Sequence, residues 1–315
     1  MSDDADVAVE RLPPDEAFEL LAHETRFAIL ETLNDAGGGP LAFSDLRKRV
    51  GVRDAGRFNY HLGKLVGRFV RRADSGGGNA SDSEDGGTDA DGDATDGGYE
   101  LTAAGRRVVG AVLSGSYSKR FDADALTTDA PCLECGDPME LRFREGGVKV
   151  TCPDCGDYTD FDMPPGVFEG WPRAELPSVV ARWLDRMHWT AETGFCPTCD
   201  GRIDRTVHAS ADDGVPVWVR DSDFEAVVAY ECDRCGDGWT TVVPIAVLTH
   251  PALVAFHYEH GVDVRRTPPW DLDWLRPGLA VVVGVRPLRV EVPVALDGET
   301  RRFVFDENLG LVEEH

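Results

Sequence analysis

The chain has 315 residues, of which 57 are acidic and 32 basic, for a formal net charge of −25. At about 150 residues per domain this length allows two domains or three small ones. The apolar stretches are far shorter than the ~20 residues of a membrane span, and the acidic N-terminus does not resemble a signal peptide, so we expect a cytoplasmic protein.

The basic residues are unusual in kind, because only four of the 32 are Lys and the rest are Arg. An acid-rich, Lys-poor composition indicates a halophilic source, where molar salt shortens the Debye length to about 3 Å and screens the self-repulsion. An acidic protein with a solvated surface is the alternative. Under the halophilic interpretation the acidic residues reflect adaptation to salt and indicate little about the protein's partner. The segments that lack acidic residues are therefore the ones that can indicate a partner.

Two segments are basic in this acidic chain. Residues 44–72 hold nine basic side chains against two acidic ones, and residues 103–120 hold four basic side chains and no acid. A local excess of Arg and Lys is the electrostatic signature of phosphate binding. We therefore expect nucleic acid as the partner of this region.

The first part of the chain is predicted to be helical. Residues 1–12 form an acidic lead that we expect to be disordered. Apolar spacing and stop signals then predict four helices: 15–22, 24–35, 44–50 with Ser44 as N-cap, and 54–67.

A hairpin and a further helix follow. Residues 69–72 and 99–102 read as short strands, and Thr102 is a good N-cap for a helix over 103–114. Between the strands, residues 73–98 contain only Gly, Asp, Glu, Ala, Ser, Thr and Asn. We expect them to be a disordered acidic insertion at the hairpin tip.

This order of elements is that of a winged helix-turn-helix domain, assigned to residues 13–120. The stretches HETRFAILETL (23–33), FNYHLGKLVGRFV (58–70) and GYELTAAGRRV (98–108) resemble ArsR-type winged-helix transcriptional regulators of halophilic archaea. The resemblance implies double-stranded DNA as ligand and a homodimer paired through the first helix and the helix after the wing. Residues 41–50 contain no Cys, which departs from the arsenic-sensing members and argues against that type of metal sensing.

Helical geometry assigns roles to the residues of the predicted reading helix 54–67. Stepping 100° per residue puts Phe58 and Leu62 on the buried face, with His61 nearer to it than to the opposite face. The candidate base-reading residues are Arg57, Asn59, at the border of the exposed face, and Tyr60. The candidate phosphate contacts are Arg53, Lys64, Arg71 and Arg72. A solvated basic face without a ligand is the alternative.

All eight cysteines occur in four C-x-x-C pairs: Cys132/Cys135, Cys152/Cys155, Cys196/Cys199 and Cys232/Cys235. The first two pairs are 16 residues apart and predict a four-cysteine zinc ribbon over 121–165; the last two are 32 apart and predict a second over 195–245. We expect two structural Zn²⁺ per chain, in closed sites that generate no nucleophilic water. Residue type alone leaves an iron–sulfur site open, whereas disulfides and thioredoxin-like chemistry fit the pattern poorly.

The remaining segments complete the predicted architecture. A linking segment, 166–194, contains a helix of about 174–191 whose Trp183 and Trp189 we expect in the core. Residues 246–315 predict a C-terminal helix and an antiparallel β-meander with an Asp297-Gly298 hairpin turn. His250, His257 and His260 form no convincing ligand pattern, and we expect them not to bind metal.

Together these features predict an α+β protein: a winged helix, two zinc ribbons with four cysteines each, a linking helix and a small β module. The predicted function is sequence-specific transcriptional regulation, with the ribbons serving sensing, dimerisation or partner docking. The alternative is a general transcription factor resembling archaeal transcription factor E, which would dock on RNA polymerase. An enzyme is not expected, because no Ser/His/Asp set, P-loop or open metal site is apparent.

Overall fold

The computed structural model describes residues 13–73, 97–121, 123–132, 135–213, 215–220 and 222–315. The predicted lead 1–12 and residues 74–96 of the predicted insertion lie outside the described residues. The chain divides into two compact units, 1–118 and 119–315. Helices and antiparallel sheets both occur, so the expected mixture of α and β structure is present.

The first unit is mainly helical. Its elements are α1 (Pro14–Leu21), α2 (Glu24–Asp35), α3 (Phe43–Val50), α4 (Ala55–Leu65), β1 (Val70–Arg72), β2 (Tyr99–Leu101) and α5 (Ala103–Leu113). β1 and β2 pair antiparallel with Val70 opposite Leu101. The core is an aliphatic cluster around Phe58 of α4, to which α2, α3 and α5 contribute Ile29, Leu46 and Val109.

Capping explains where these helices begin. Thr102 caps α5 as predicted, because its hydroxyl oxygen accepts a hydrogen bond of 3.1 Å from the Gly105 N–H. The prediction that Ser44 caps α3 is wrong: the helix begins at Phe43 and the residue before it, Ala42, provides no side-chain cap. The side chain of Asp54 caps α4 by accepting from the Arg57 N–H at 2.7 Å.

The end of α4 also differs from the prediction. The helix stops at Leu65, two residues early, because Val66 adopts an extended conformation and forms an isolated bridge with Val70. Gly67 follows with φ +87°, a left-handed conformation that glycine adopts without strain. This turn directs the chain from α4 into β1.

The second unit contains three antiparallel sheets. The first holds β3 (Leu126–Pro131), β4 (Pro138–Arg144), β5 (Gly147–Cys152) and β6 (Gly156–Asp162), and the second β7 (Asp204–Ala209), β8 (Ala226–Glu231) and β9 (Gly238–Val242). The third is the meander β10 (Val281–Val285), β11 (Leu288–Leu296), β12 (Glu299–Asp306) and β13 (Leu311–Glu314). Its β11–β12 hairpin turns at Asp297 and Gly298, both at positive φ, as the Asp-Gly signal predicts.

The helices of this unit are α6 (Leu176–Glu192), α7 (Val217–Arg220), α8 (Val243–Ala246) and α9 (Pro251–Glu259). Among its described residues, four single 3₁₀ turns, 165–167, 173–175, 269–271 and 273–275, join the elements. None of the helices in the described ranges has the length and apolar character of a transmembrane segment.

Helix α6 takes part in two hydrophobic cores. Leu176 and Val180 pack in the same cluster as Cys132 and Cys152, and Trp183 is half-buried against it. Near its C-terminus, Ala191 belongs to the cluster that contains Cys196 and Cys232. The prediction that Trp189 is a core residue is wrong, because the helix turns this side chain outward and leaves it 55% exposed.

Candidate metal centres and basic surface

The four C-x-x-C pairs form two groups of four sulfurs. Cys132, Cys135, Cys152 and Cys155 form one, and Cys196, Cys199, Cys232 and Cys235 form the other; within each group all Sγ atoms lie within 4.8 Å of one another. The closest sulfurs across the pairs are 3.5–3.8 Å apart in the first group and 3.6–3.7 Å apart in the second. The predicted grouping of the cysteines, two pairs to each group, is thus confirmed.

These separations suit one tetrahedral ion per group. Four sulfurs at about 2.3 Å from a tetrahedral Zn²⁺ lie about 3.8 Å from one another. A disulfide would need about 2.05 Å, and all eight thiols are free. Each four-cysteine group can therefore hold a metal ion, and the all-thiolate donor set is consistent with zinc.

Repeated backbone turns build the groups. In three of the four pairs, the carbonyl oxygen of the first Cys accepts a hydrogen bond from the backbone N–H four residues later. These hydrogen bonds run from Gly136 to Cys132 at 2.9 Å, from Asp200 to Cys196 at 3.0 Å and from Gly236 to Cys232 at 2.9 Å. Gly136, Asp200 and Gly236 all have positive φ, and so does Gly156 after the remaining pair. The sequence feature behind this is the small residue after each pair, which allows the left-handed turn.

Backbone N–H groups at the turns favour thiolate. Burial raises the pKa of Cys232, but hydrogen bonds from the N–H groups of Cys235 and Arg234 outweigh it and lower the pKa to about 7. In the other group, hydrogen bonding to Cys135 and burial raise the pKa of Cys155. A bound cation would offset the mutual repulsion of four thiolates, and because all four tetrahedral positions are sulfur such a site has no open position for substrate.

The three C-terminal histidines form no metal group within the described parts of the chain. His257 is fully buried: its Nδ1 lies 2.7 Å from the Leu253 carbonyl oxygen, and its Nε2 accepts from Trp274 Nε1–H at 3.0 Å. His260 lies 3.4–3.5 Å from the carboxylates of Asp297 and Glu299. Both ring nitrogens of His257 and of His260 therefore contact other groups of the protein.

The predicted base-reading residues are exposed on α4, where Arg57 and Tyr60 share one face and Asn59 lies at its border. Arg57, Asn59, Tyr60 and Lys64 are all exposed, Tyr60 to 61%, with the Lys64 ammonium 5.7 Å from the Tyr60 ring. His61 is buried against the core, as its helical angle predicts, and its ring lies 4.0 Å from that of His23. This face of α4 is free of acidic side chains.

The predicted phosphate contacts differ in their surroundings. Arg53 is exposed beside the start of α4, and the Arg72 guanidinium lies 5.8 Å from the Tyr99 ring. Arg71 donates to the Glu100 carboxylate at 2.7 Å, so its charge is largely compensated within the hairpin. Arg71 is accordingly the weakest of the predicted contacts.

Arg47 has a contact that sequence reasoning missed. Its Nη1 donates to the carbonyl oxygens of Val52 and Arg53, at 3.3 and 2.6 Å, and so fastens the turn between α3 and α4. In the sequence it is one of nine basic residues between 44 and 72, and no local pattern distinguishes it from a phosphate contact.

Fold and site together define an α+β protein with two four-cysteine groups that can each hold a metal ion. A family model described as a domain of unknown function (DUF7351) matches residues 129–311, and a second such model, DUF7347, matches residues 14–78. The first match spans more than half of the chain, which therefore belongs to the DUF7351 family. No curated protein and no solved structure matches the chain.

Proposed function

We propose that the protein is a sequence-specific, DNA-binding transcriptional regulator of the winged helix-turn-helix class. The observation that carries the proposal is the exposed basic face of α4, in a chain whose net charge is −25. The described residues of the first unit hold 12 basic and nine acidic side chains, so this described part is net positive, although residues 1–118 as a whole hold 13 basic and 21 acidic side chains. The element order α1 to α5, with a hairpin before α5, supports the winged-helix assignment.

In the proposed complex α4 lies in the major groove and β1–β2 is the wing. Arg57 can donate to O6 and N7 of a guanine, and Asn59 can pair with an adenine edge. Arg53, Lys64 and Arg72 contact phosphate and fix the orientation of the helix. Arg47 contributes indirectly, because it holds the turn that sets the angle between α3 and α4.

We further propose that both four-cysteine groups hold Zn²⁺ with a structural role. Zinc bound to four thiolates supplies folding free energy and performs no chemistry on a substrate. The expected result of elemental analysis is two zinc ions per chain. One or none, or iron with visible-region absorbance, would contradict the assignment.

Apolar side chains on α1 and after α5 support a homodimer. Phe18 is 71% exposed on α1, Leu113 ends α5 with its side chain exposed, and Tyr117 is exposed a few residues later. A contiguous exposed apolar patch marks a protein interface, and in the proposed dimer these side chains would be covered by the partner. Sedimentation at several concentrations in molar KCl tests the dimer, and a Phe18→Glu variant is expected to sediment as a monomer.

Genome-wide mapping of the tagged protein tests the function. A regulator is expected at few promoters; occupancy of most promoters would instead favour the general transcription factor that docks on RNA polymerase. In vitro, replacing Arg53, Arg57 and Lys64 by Gln should abolish preference for a mapped site. Replacing Arg202, Arg265 and Arg276, which pair with nearby acids in the second unit, removes the same charge and should leave that preference intact.

A further inference from the structure

A cleft of about 220 Å³ lies in the second unit beside the C-terminal end of α6. Residues from α6, β7, the stretch from the end of α8 to the start of α9, and the turn before β13 line it, among them Trp189, Glu192, Arg205, Val247, Thr249, His250 and Leu309. Polar and apolar groups contribute about equally to its lining, and a few well-placed polar groups fix the orientation of a ligand in a small-molecule site. The volume is below the ~300 Å³ of drug-sized pockets and suits a single ring.

Trp189 supplies an unused aromatic surface at this cleft. The side chain is 55% exposed and belongs to neither of the cores that α6 joins. No ring contact or cation–π contact involves it among the described residues. An indole left open beside a cleft can stack on a planar ring.

His250 presents a hydrogen-bond donor. Its Nδ1 accepts from the Ala252 N–H at 3.2 Å, so the proton of the neutral ring is on Nε2. Burial lowers the pKa of His250 and favours this neutral form. Nε2 has no hydrogen-bond partner in the described parts of the chain and is not among the buried unpaired atoms, so it is open to a ligand.

Two contacts hold the Arg205 guanidinium in place and leave its other N–H groups available as donors. Its Nη1 contacts Glu192, and its Nη2 donates to the Asn308 carbonyl oxygen at 2.8 Å. The second oxygen of Glu192 accepts from Tyr230 Oη at 2.5 Å, so the carboxylate is compensated on both sides. The remaining Arg205 N–H groups and the Thr249 hydroxyl can donate at the cleft, and the one carboxylate in its lining, Glu192, is already paired with Arg205 and Tyr230.

The turn at Leu309 indicates that the cleft is a built feature. Leu309 is a non-glycine residue at φ +58°, held there by Asp306, whose carboxylate accepts the Asn308 and Gly310 N–H groups at 2.9 Å each. Strained backbone of this kind persists where the surroundings impose it, often at binding sites.

From this geometry we propose that the cleft binds a small aromatic carboxylate. The ring stacks on Trp189 between Val247 and Leu309, and the carboxylate accepts from His250 Nε2–H and Arg205. The site lies entirely in residues 119–315 and does not depend on DNA binding.

The test is a ¹⁹F NMR titration of the full chain, in KCl that keeps it folded, with 4-fluorobenzoate as the probe. We expect saturable binding that Trp189→Ala weakens about tenfold or more through loss of stacking. His250→Asn keeps an N-cap oxygen for α9 but removes the distal donor, so we expect a loss of about 2- to 10-fold. Trp171→Ala is the matched control, because Trp171 is also exposed, to 45%, but lies under Arg182 away from the cleft.

Three results would overturn the proposal. The first is the absence of saturable broadening with the wild-type chain. The second is an equal loss in Trp171→Ala and Trp189→Ala. The third is equal affinity for 4-fluorobenzyl alcohol, which would contradict a carboxylate ligand. Metal content and the far-UV circular dichroism of each variant establish that it is folded.

Discussion

At the scale of single residues, two glycines of α5 have opposite surroundings. A Cβ at Gly105 would overlap the Phe69 carbonyl oxygen and lie 3.1 Å from Leu101 Cδ2, whereas a Cβ at Gly110 would meet nothing within 4 Å. Gly105→Ala should destabilise the first unit by about 1–3 kcal/mol through overpacking. Gly110→Ala should stabilise it by about 0.5–1 kcal/mol through helix propensity. Chemical denaturation followed by circular dichroism compares the two; equal effects would mean that α5 does not pack closely on the backbone of Phe69.

Arg57 and Arg72 should affect DNA binding in different ways. Arg57→Ala is expected to cost about 1–3 kcal/mol at a mapped site and to relax preference at one base position. Arg72→Ala should weaken binding to all sequences alike and reduce the salt slope by about one unit. Arg71→Ala should change the slope less than Arg72→Ala, because Glu100 already compensates Arg71. Titrations at low and high KCl decide this, and equal sequence-independent losses for Arg57 and Arg72 would mean that α4 does not read bases.

At the scale of elements, the cap of α4 links its stability to its proposed role. Asp54→Ala removes the acceptor of the Arg57 N–H and should cost about 0.5–2 kcal/mol of stability. It should also weaken specific DNA binding, because the first turn of α4 carries Arg57. Asp54→Asn keeps an acceptor while removing the charge, and is expected to preserve specificity. Thermal unfolding and site titrations of the two variants check this; loss of specificity in both would assign the effect to charge.

Helix α9 should make the second unit sensitive to acid. Burial, and to a lesser extent the nearby His260, lower the pKa of His257 below its usual 6.5. A proton on Nε2 would also face the Trp274 Nε1–H, which now donates to it. The unfolded chain then binds a proton at higher pH than the folded protein, so stability is full above pH 6.5 and falls as the pH drops below it. His257→Gln should reduce this pH dependence. Some dependence should remain, because burial also lowers the pKa of His188 and His250.

Much of the secondary structure could be predicted because its signals are local. Thr102 specifies the start of a helix through its own side-chain hydrogen bond, and Asp297-Gly298 specifies a turn through the positive φ angles of both residues. The cysteine groups were predictable for a related reason, since C-x-x-C spacing and a small following residue suffice for the turn. Ser44 failed as a cap because α3 begins one residue earlier, and the length of α4 depends on the bridge between Val66 and Val70.

Features that depend on distant residues had no signal in the sequence. The cleft beside Trp189 combines α6, β7, the start of α9 and the turn at Leu309, which no spacing rule connects. The pairing of Arg71 with Glu100 spans 29 positions, and the turn-fastening role of Arg47 is visible only from the carbonyl positions. Periodicity placed Trp189 on a helix and could not show that this side of the helix stays uncovered.

At the scale of the whole molecule, the two compact units should respond separately to loss of metal. Cys132→Ser or Cys196→Ser should unfold residues 119–315, because both cysteines are buried within its cores, and leave the first unit folded. Thr198→Ser, in one of the turns, keeps the hydroxyl and all thiols and should behave as wild type. Metal analysis with limited proteolysis measures this; loss of the protease-resistant first unit in the cysteine variants would contradict independent folding.

The position of α6 has a thermodynamic consequence for the two metal centres. One end of this helix packs with ligands of the first group, and the other end packs with ligands of the second. If each group binds an ion and that ion orders its end of α6, less free energy is needed to order the other end. Binding at one centre would then raise the affinity at the other, reciprocally and by the same factor. The metal pair would then fill and empty cooperatively over a narrow range of free zinc concentration, although a long stretch of helix and turn separates the two ligand sets.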